Sequence, residues 1–281
     1  MIKIKRKLLY STILVICFVL IASYIKNLFT KNMKVKAMGN EHIPILMYHH
    51  VVKDPSKTNL ITVTDKRFEE DMEYLKKNGY NTISFKELID YKEGRAKLPG
   101  KPIIITFDDG YDNNYKYAYP ILKKNNMKAT IFVVGSRLGI IKYNNDPRYS
   151  YFSWEQAKEM FESGLVEIQP HTYDLHYYKE SPNHGEGVLS KTKESKKSHY
   201  DRFTKDTDKI IKLIKEKVGS ESYVYAYPYG KYNSTNEEVL KKLNFKVTLT
   251  TKSKYANISD GLYELKRINV PSNKKLKDLL F

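Results

Sequence analysis

At 281 residues and 41% hydrophobic, the chain is too apolar for a disordered or low-complexity polymer and long enough for one large domain. Its formal charge of +17 does not make it a nucleic-acid binder, because the lysines are spread along the sequence and no nucleic-acid-binding motif accompanies them; a basic body also suits an anionic cell envelope. The one cysteine, Cys17, excludes an intramolecular disulfide.

In chain order, the first feature is an uncharged run at residues 8–25, LLYSTILVICFVLIASYI, preceded by Lys3, Lys5, Arg6 and Lys7. Eighteen residues at about 1.5 Å each span roughly 27 Å, close to the hydrocarbon thickness of a bilayer. The leading cations favour a cytoplasmic N-terminus, although Lys26, Lys31, Lys34 and Lys36 follow and weaken the asymmetry. The run is apolar on every face, unlike a core helix, and no A-x-A-like cleavage site follows it closely. The segment predicts a retained single-pass anchor. Residues 1–26 then form a cytoplasmic tip and transmembrane helix, 27–41 a linker, and 42–281 an extracellular domain held at the cell membrane. Secretion after signal cleavage is the alternative.

Beyond the linker, strand-like and helix-like segments alternate. Residues 43–48 (IPILMY) form a short apolar strand, and Phe68, Met72 and Leu75 mark one stripe of a helix over 64–78 that Gly79 closes. Ser84 and Glu87 have capping-box spacing ahead of Leu88 and Ile89. PIIITF at 102–107 is a β-branched, buried strand. A helix over 115–126 and a strand over 129–134 follow. Ser153 and Gln156 repeat the capping-box spacing and open a helix to residue 163, ahead of a strand at 166–169. Residues 177–200 are polar, with Gly185, Gly187 and many lysines and serines, and read as an inserted loop with freedom to move. A helix at 201–218, a strand at 224–227, a helix at 235–243, a strand at 246–250 and a last strand at 264–270 complete the series. The alternation predicts an α/β fold: a distorted (β/α) barrel of about seven parallel strands with helices outside, preceded by one N-terminal transmembrane helix.

The polar residues fall at corresponding places on this outline. His49 and His50 follow the first strand, Asp108 and Asp109 the PIIITF strand, His171 the strand at 166–169, and Pro228 and Tyr229 the strand at 224–227. All lie at C-terminal strand ends, the face where barrel enzymes build their sites. Two adjacent carboxylates repel unless a cation or proton lies between them; the structural alternative has one Asp capping the next helix while Gly110 makes the turn. His171 and His176 are five residues apart and cannot share one face of a straight helix, but they converge if the first ends a strand and the second follows a turn. With one carboxylate they make a His-His-Asp set suited to Zn²⁺ or another divalent first-row ion such as Co²⁺, Ni²⁺ or Fe²⁺. Asp174 is a spare candidate ligand, ranked below Asp109.

ITFDDGYDNNY at 105–115, HTYDLH at 171–176 and AYPYG at 226–230 together resemble the polysaccharide deacetylase family, the NodB homology domain of carbohydrate esterase family 4. The resemblance covers residues 43–270. It implies that Asp108 is the general base, that Asp109, His171 and His176 hold one divalent metal ion, Zn²⁺ first among candidates, and that the Tyr229 backbone N–H helps hold the oxyanion. The departures are informative. Ala226 stands where the family's Arg-x-Pro-Tyr motif has Arg, no Asp-x-x-Asp-Trp motif is recognisable, and no His follows His199 to act as general acid. ILMYHHV at 45–51 and the five-residue His171–His176 spacing are similar to the poly-β-1,6-N-acetylglucosamine N-deacetylase branch, where the His comes first. The branch assigns His49 as general acid with His50 as understudy, and leaves Arg267 as an orienting partner of Asp108 or a packing ion pair. The implied activity is N-deacetylation of an extracellular polysaccharide by a monomer. The competitors are a peptidoglycan or chitooligosaccharide deacetylase, a catalytically inactive glycan-binding relative, and a two-carboxylate glycoside hydrolase.

Overall fold

The computed structural model describes residues 20, 21, 23, 24, 41–142, 149–179, 181 and 184–280. The predicted membrane segment at 8–25 otherwise lies outside the described residues; among those described, no helix is long and apolar enough to cross a membrane. Asn40–Leu280 forms the larger of two compact units.

Among the described residues ten strands pair in parallel, and seven of them matter for the site: β1 (Ile45–Tyr48), β2 (Pro102–Asp109), β3 (Ala129–Val134), β4 (Val166–Thr172), β5 (Val224–Ala226), β6 (Val247–Leu249) and β7 (Ile268–Asn269). The fold is thus α/β with a parallel sheet, as the alternation predicts. Backbone ladders run in the order β7-β1-β2-β3-β4, and β5 pairs with β6 separately. A single parallel bridge, Leu249 to Leu265, carries β6 across to the segment that leads into β7. Between β4 and β5 no ladder forms, and two buried side chains of β4 span the gap instead. Gln169 accepts from the N–H groups of Tyr223 and Val224 and donates to Glu221 O. His171 Nδ1 lies 2.6 Å from Ala226 O.

The helices are set by their caps. In α1 (Asp65–Lys77) the Thr64 hydroxyl accepts from Arg67 N, and α2 (Phe85–Lys92) and α4 (Trp154–Glu162) open on complete capping boxes from Ser84 with Glu87 and Ser153 with Gln156. Between these two, the helix expected over 115–126 is split. Asn114–Ala118 is a π-turn and α3 is Tyr119–Asn125, because Pro120 in the first turn has no N–H to give to the preceding turn. Helix α5 (Lys196–Val218) starts five residues before its predicted position, capped by the Ser195 hydroxyl. Its first turn reads as loop because all but His199 among its side chains face solvent. Helix α6 is Ser234–Lys242 and a last short turn, α7, is Leu276–Leu279. The strand expected over 264–270 shrinks to Ile268–Asn269, since Glu264 takes a left-handed φ of 60°.

Period-two alternation along β2 sorts its residues. Ile103, Ile105 and Phe107 join the core shared with α1, α3, α4 and α5, whereas Ile104 joins a second core with Ile45, Phe132, Ala226 and Leu249. Thr106 and Asp108 continue the Ile104 face toward the C-terminal end of the strands.

Candidate active site

Strand β2 runs through both carboxylates rather than ending before them, and it brings them in buried. Neighbours on a regular strand point to opposite faces. The alternation breaks at Asp109, whose φ of 77° is left-handed, and Gly110 follows at 82°. A non-glycine residue held there is strained, and the turn redirects its carboxylate toward the histidines. Gly110 is required on its own account, because a Cβ would sit 3.1 Å from Leu138 and 3.2 Å from Val133.

Asp108 faces Arg267, which is completely buried. The guanidinium meets the carboxylate through two parallel bonds, Nη1 to Oδ1 and Nη2 to Oδ2, both 2.7 Å. It also donates to Thr250 O through Nε and to Thr106 Oγ1 through Nη1. Burial alone would raise the Asp108 pKa; Arg267, then His171 and His49, outweigh it and hold the carboxyl below its ordinary value. Arg267 therefore supplies to Asp108 the guanidinium that Ala226 cannot.

Asp109 Oδ1 lies 3.0 Å from His176 Nε2 and 3.6 Å from His171 Nε2, and one ligand atom from each residue falls within 4.8 Å of the others. The protonation pattern is informative. A carbonyl only accepts, so His171 donates from Nδ1 to Ala226 O and turns a bare Nε2 lone pair toward Asp109. Burial, above all, lowers the His171 pKa to about 4, so the ring is neutral near pH 7. Asp109 Oδ1 is itself buried and makes no hydrogen bond of good geometry, with His176 Nε2 3.0 Å away. Burial works to raise the Asp109 pKa, yet His176, His171 and His49 pull it well below the usual range. A lone pair and an orphan carboxylate oxygen facing each other in a buried site repel unless a cation lies between them. The donor set fits a divalent ion.

The other predicted residues divide. His49 presents a buried Nδ1 with no partner and acts electrostatically on both carboxylates. His50 is engaged elsewhere, stacked on Tyr111 at 3.6 Å with its Nδ1 accepting from Asn113. Asp174 is not in the ligand cluster: its carboxylate accepts from Ser136 and Tyr177, which corrects its place as a spare ligand. Tyr229 sits in the turn Pro228–Gly230 with φ 57°, and its hydroxyl lies 2.9 Å from His176 Nδ1.

Two further residues come from no motif. Arg137 donates to His176 O at 2.9 Å. Asp206 accepts from Thr172, Tyr173 and Asp174 in the link between the histidines. Its sequence signal was an acid inside the apolar stripe of α5, between Phe203 and Ile210. Residues 184–200 of the inserted segment are also more fixed than their composition suggests. Val188 is buried, Val188 O meets His199 Nε2 at 2.8 Å, and Leu189 O accepts from Arg202.

A parallel α/β fold with an Asp-Asp pair, two convergent histidines and a bidentate Arg defines the class. The chain belongs to the polysaccharide deacetylase family, whose model matches residues 95–248. It is similar to the Bacillus subtilis protein YxkH, at 34% identity over 229 residues, 81% of this chain and 71% of that one. It is also similar to the poly-beta-1,6-N-acetyl-D-glucosamine N-deacetylase of Staphylococcus aureus, at 30% identity over 237 residues, 79% of this chain and 77% of that one. Among solved structures, a de-N-acetylase from Aggregatibacter actinomycetemcomitans superposes with a TM-score of 0.75 at 29% identity, over 85% of this chain and all of that one. The protein is a hydrolase of carbon–nitrogen bonds, a polysaccharide N-deacetylase.

Proposed function

We propose that the chain is a metal-dependent N-deacetylase acting on poly-β-1,6-N-acetylglucosamine outside the cell. The observation that carries the metal is the orphan Asp109 oxygen facing the Nε2 atoms of both histidines. The specific glycan is supported by the name of the Staphylococcus aureus relative and by the early His49.

Asp109, His171 and His176 would hold the ion, Zn²⁺ in first place, with Co²⁺, Ni²⁺ and Fe²⁺ suited to the same donors. When bound, such an ion acidifies a water and polarises a carbonyl. Asp108, kept ionised by Arg267, takes a proton from the attacking water. His49, whose Nδ1 is free of other bonds, gives a proton to the leaving amine. The backbone N–H of Tyr229 serves the oxyanion. The acetamide C–N bond breaks, leaving acetate and a free amine on the sugar.

We read the seven strands as a distorted barrel with this site at its C-terminal mouth. Residues 8–25 are the proposed single-pass anchor of a monomeric enzyme, and the basic body suits an anionic envelope. The test is acetate release from defined N-acetylglucosamine oligomers, with and without a chelator. Acetate without chain shortening, abolished by chelation and restored by Zn²⁺, is the expected result. Shortened chains would mean a glycosidase, and preference for peptidoglycan or β-1,4 oligomers would move the substrate.

A further inference from the structure

Helix α5 turns one face toward the site. His199, Arg202 and Asp206 are three and four residues apart, hence neighbours on that face, and each bonds the backbone of a loop. Asp206 is buried and serves three consecutive residues. Its Oδ2 accepts from Thr172 Oγ1 at 2.6 Å and Tyr173 N at 2.9 Å, and its Oδ1 from Asp174 N at 2.8 Å. Thr172 Oγ1 in turn accepts from Leu175 N at 2.9 Å. Those four residues are the whole link between His171 and His176. A buried carboxylate persists only among such donors, and buried N–H groups only with such an acceptor, so the link and Asp206 hold each other in one conformation.

Arg202 holds a neighbouring segment and not the link. It donates to Leu189 O at 2.9 Å and pairs with Glu194 through two bonds of 2.8 Å. The segment it pins packs on the Pro228 turn: a Cβ at Gly187 would stand 2.9 Å from Pro228 O.

We infer that Asp206 is a positioning residue for the metal-ligand set: it folds the four-residue link so that His176 doubles back and both imidazoles face Asp109. The inference rests on reading Asp109, His171 and His176 as a metal site. Arg202, from the same helix face, touches none of the link and is the matched control.

The experiment compares the full-length wild type with Asp206→Asn, Thr172→Val and Arg202→Gln. It measures Zn²⁺ affinity by chelator competition, the melting temperature of the metal-free protein, and kcat at saturating Zn²⁺. Asp206→Asn should weaken Zn²⁺ binding by about ten- to a hundredfold, as loss of an outer partner of a metal ligand does. Thr172→Val, which removes one of the three bonds to Asp206 together with the bond from Leu175 N, should also weaken it. Arg202→Gln should lower the melting temperature while leaving Zn²⁺ affinity unchanged. Equal affinity in Asp206→Asn and wild type overturns the inference. So does an equal loss in Arg202→Gln at matched melting temperature, which would reduce Asp206 to general support of the fold. Should Asp206→Asn fail to fold, Thr172→Val decides: unchanged affinity there overturns the proposal. A wild type that holds no divalent ion instead sinks the metal reading itself.

Discussion

The two halves of the site are held by different physics. The carboxylate half is strand-borne. Asp108 and Asp109 end β2, and Asp108 is locked by a buried guanidinium that also bonds Thr106 and Thr250. The histidine half is strand-borne at His171 and loop-borne at His176, which is reached by Tyr229, Arg137 and, through the link, Asp206. In the first half, losing a partner strands a charge in a dry interior, so the loss reads out as stability. In the second, losing a support leaves a ring free to drift, so the loss reads out as affinity and rate.

The largest effect should come where the halves meet. Asp109→Ala removes the oxygen that both histidines face, and acetate release should fall by at least about a thousandfold, with bound metal lost by elemental analysis. Retention of metal would show that the halves do not share an ion. His49→Ala comes next: turnover should fall by about 10²- to 10⁴-fold with bound metal unchanged, and intact turnover would remove His49 from the acid role. Arg267→Met tests the carboxylate half alone. It leaves the Asp108 carboxylate buried and unpaired, at about 3–5 kcal/mol in denaturant unfolding. Adding Asp108→Asn should recover much of that stability and none of the turnover. If the double variant is no more stable than Arg267→Met, the pair is not what holds this half.

How much of this was legible in the sequence follows the same division. Whatever is written locally could be read: the capping boxes at Ser84 and Ser153, the β-branched run of β2, and the residue types gathered at strand ends. Asp108, Asp109 and His171 stood out because such groups at C-terminal strand ends are costly without a purpose, and His176 because it follows His171 after a turn. What could not be read depends on contacts distant in sequence. Arg267 lies 159 residues from Asp108, and nothing nearby distinguishes an ion pair at the site from one in the packing. Gln169 and His171 stand in for a ladder that does not form between β4 and β5, a substitution no local pattern announces. The start of α5 was hidden by its lysines and serines, and with it the fixed character of residues 184–195. A lysine-rich stretch looks mobile until the backbone carbonyls it offers are seen to be taken by His199 and Arg202.

That segment provides the smallest expected effect, because it is held to α5, away from the histidine link, by a titratable pair. Glu194 accepts from Arg202 Nε and Nη2 and from Lys191 N. The Arg202 bonds, foremost, lower its pKa from 4.5 to about 2, against a smaller opposing effect of burial. A carboxyl whose folded pKa is depressed adds stability that is complete above the unfolded value of 4.5 and disappears as pH falls through about 2. Glu194→Gln should therefore lower stability by about 1–3 kcal/mol near neutral pH, and the gap to wild type should close between about pH 4.5 and 2. Metal-free protein suits the measurement, since the bound ion has its own pH dependence. A gap that stays constant down to the acid end would mean that the carboxylate charge contributes nothing. The segment would then be held by its carbonyl bonds to α5 alone.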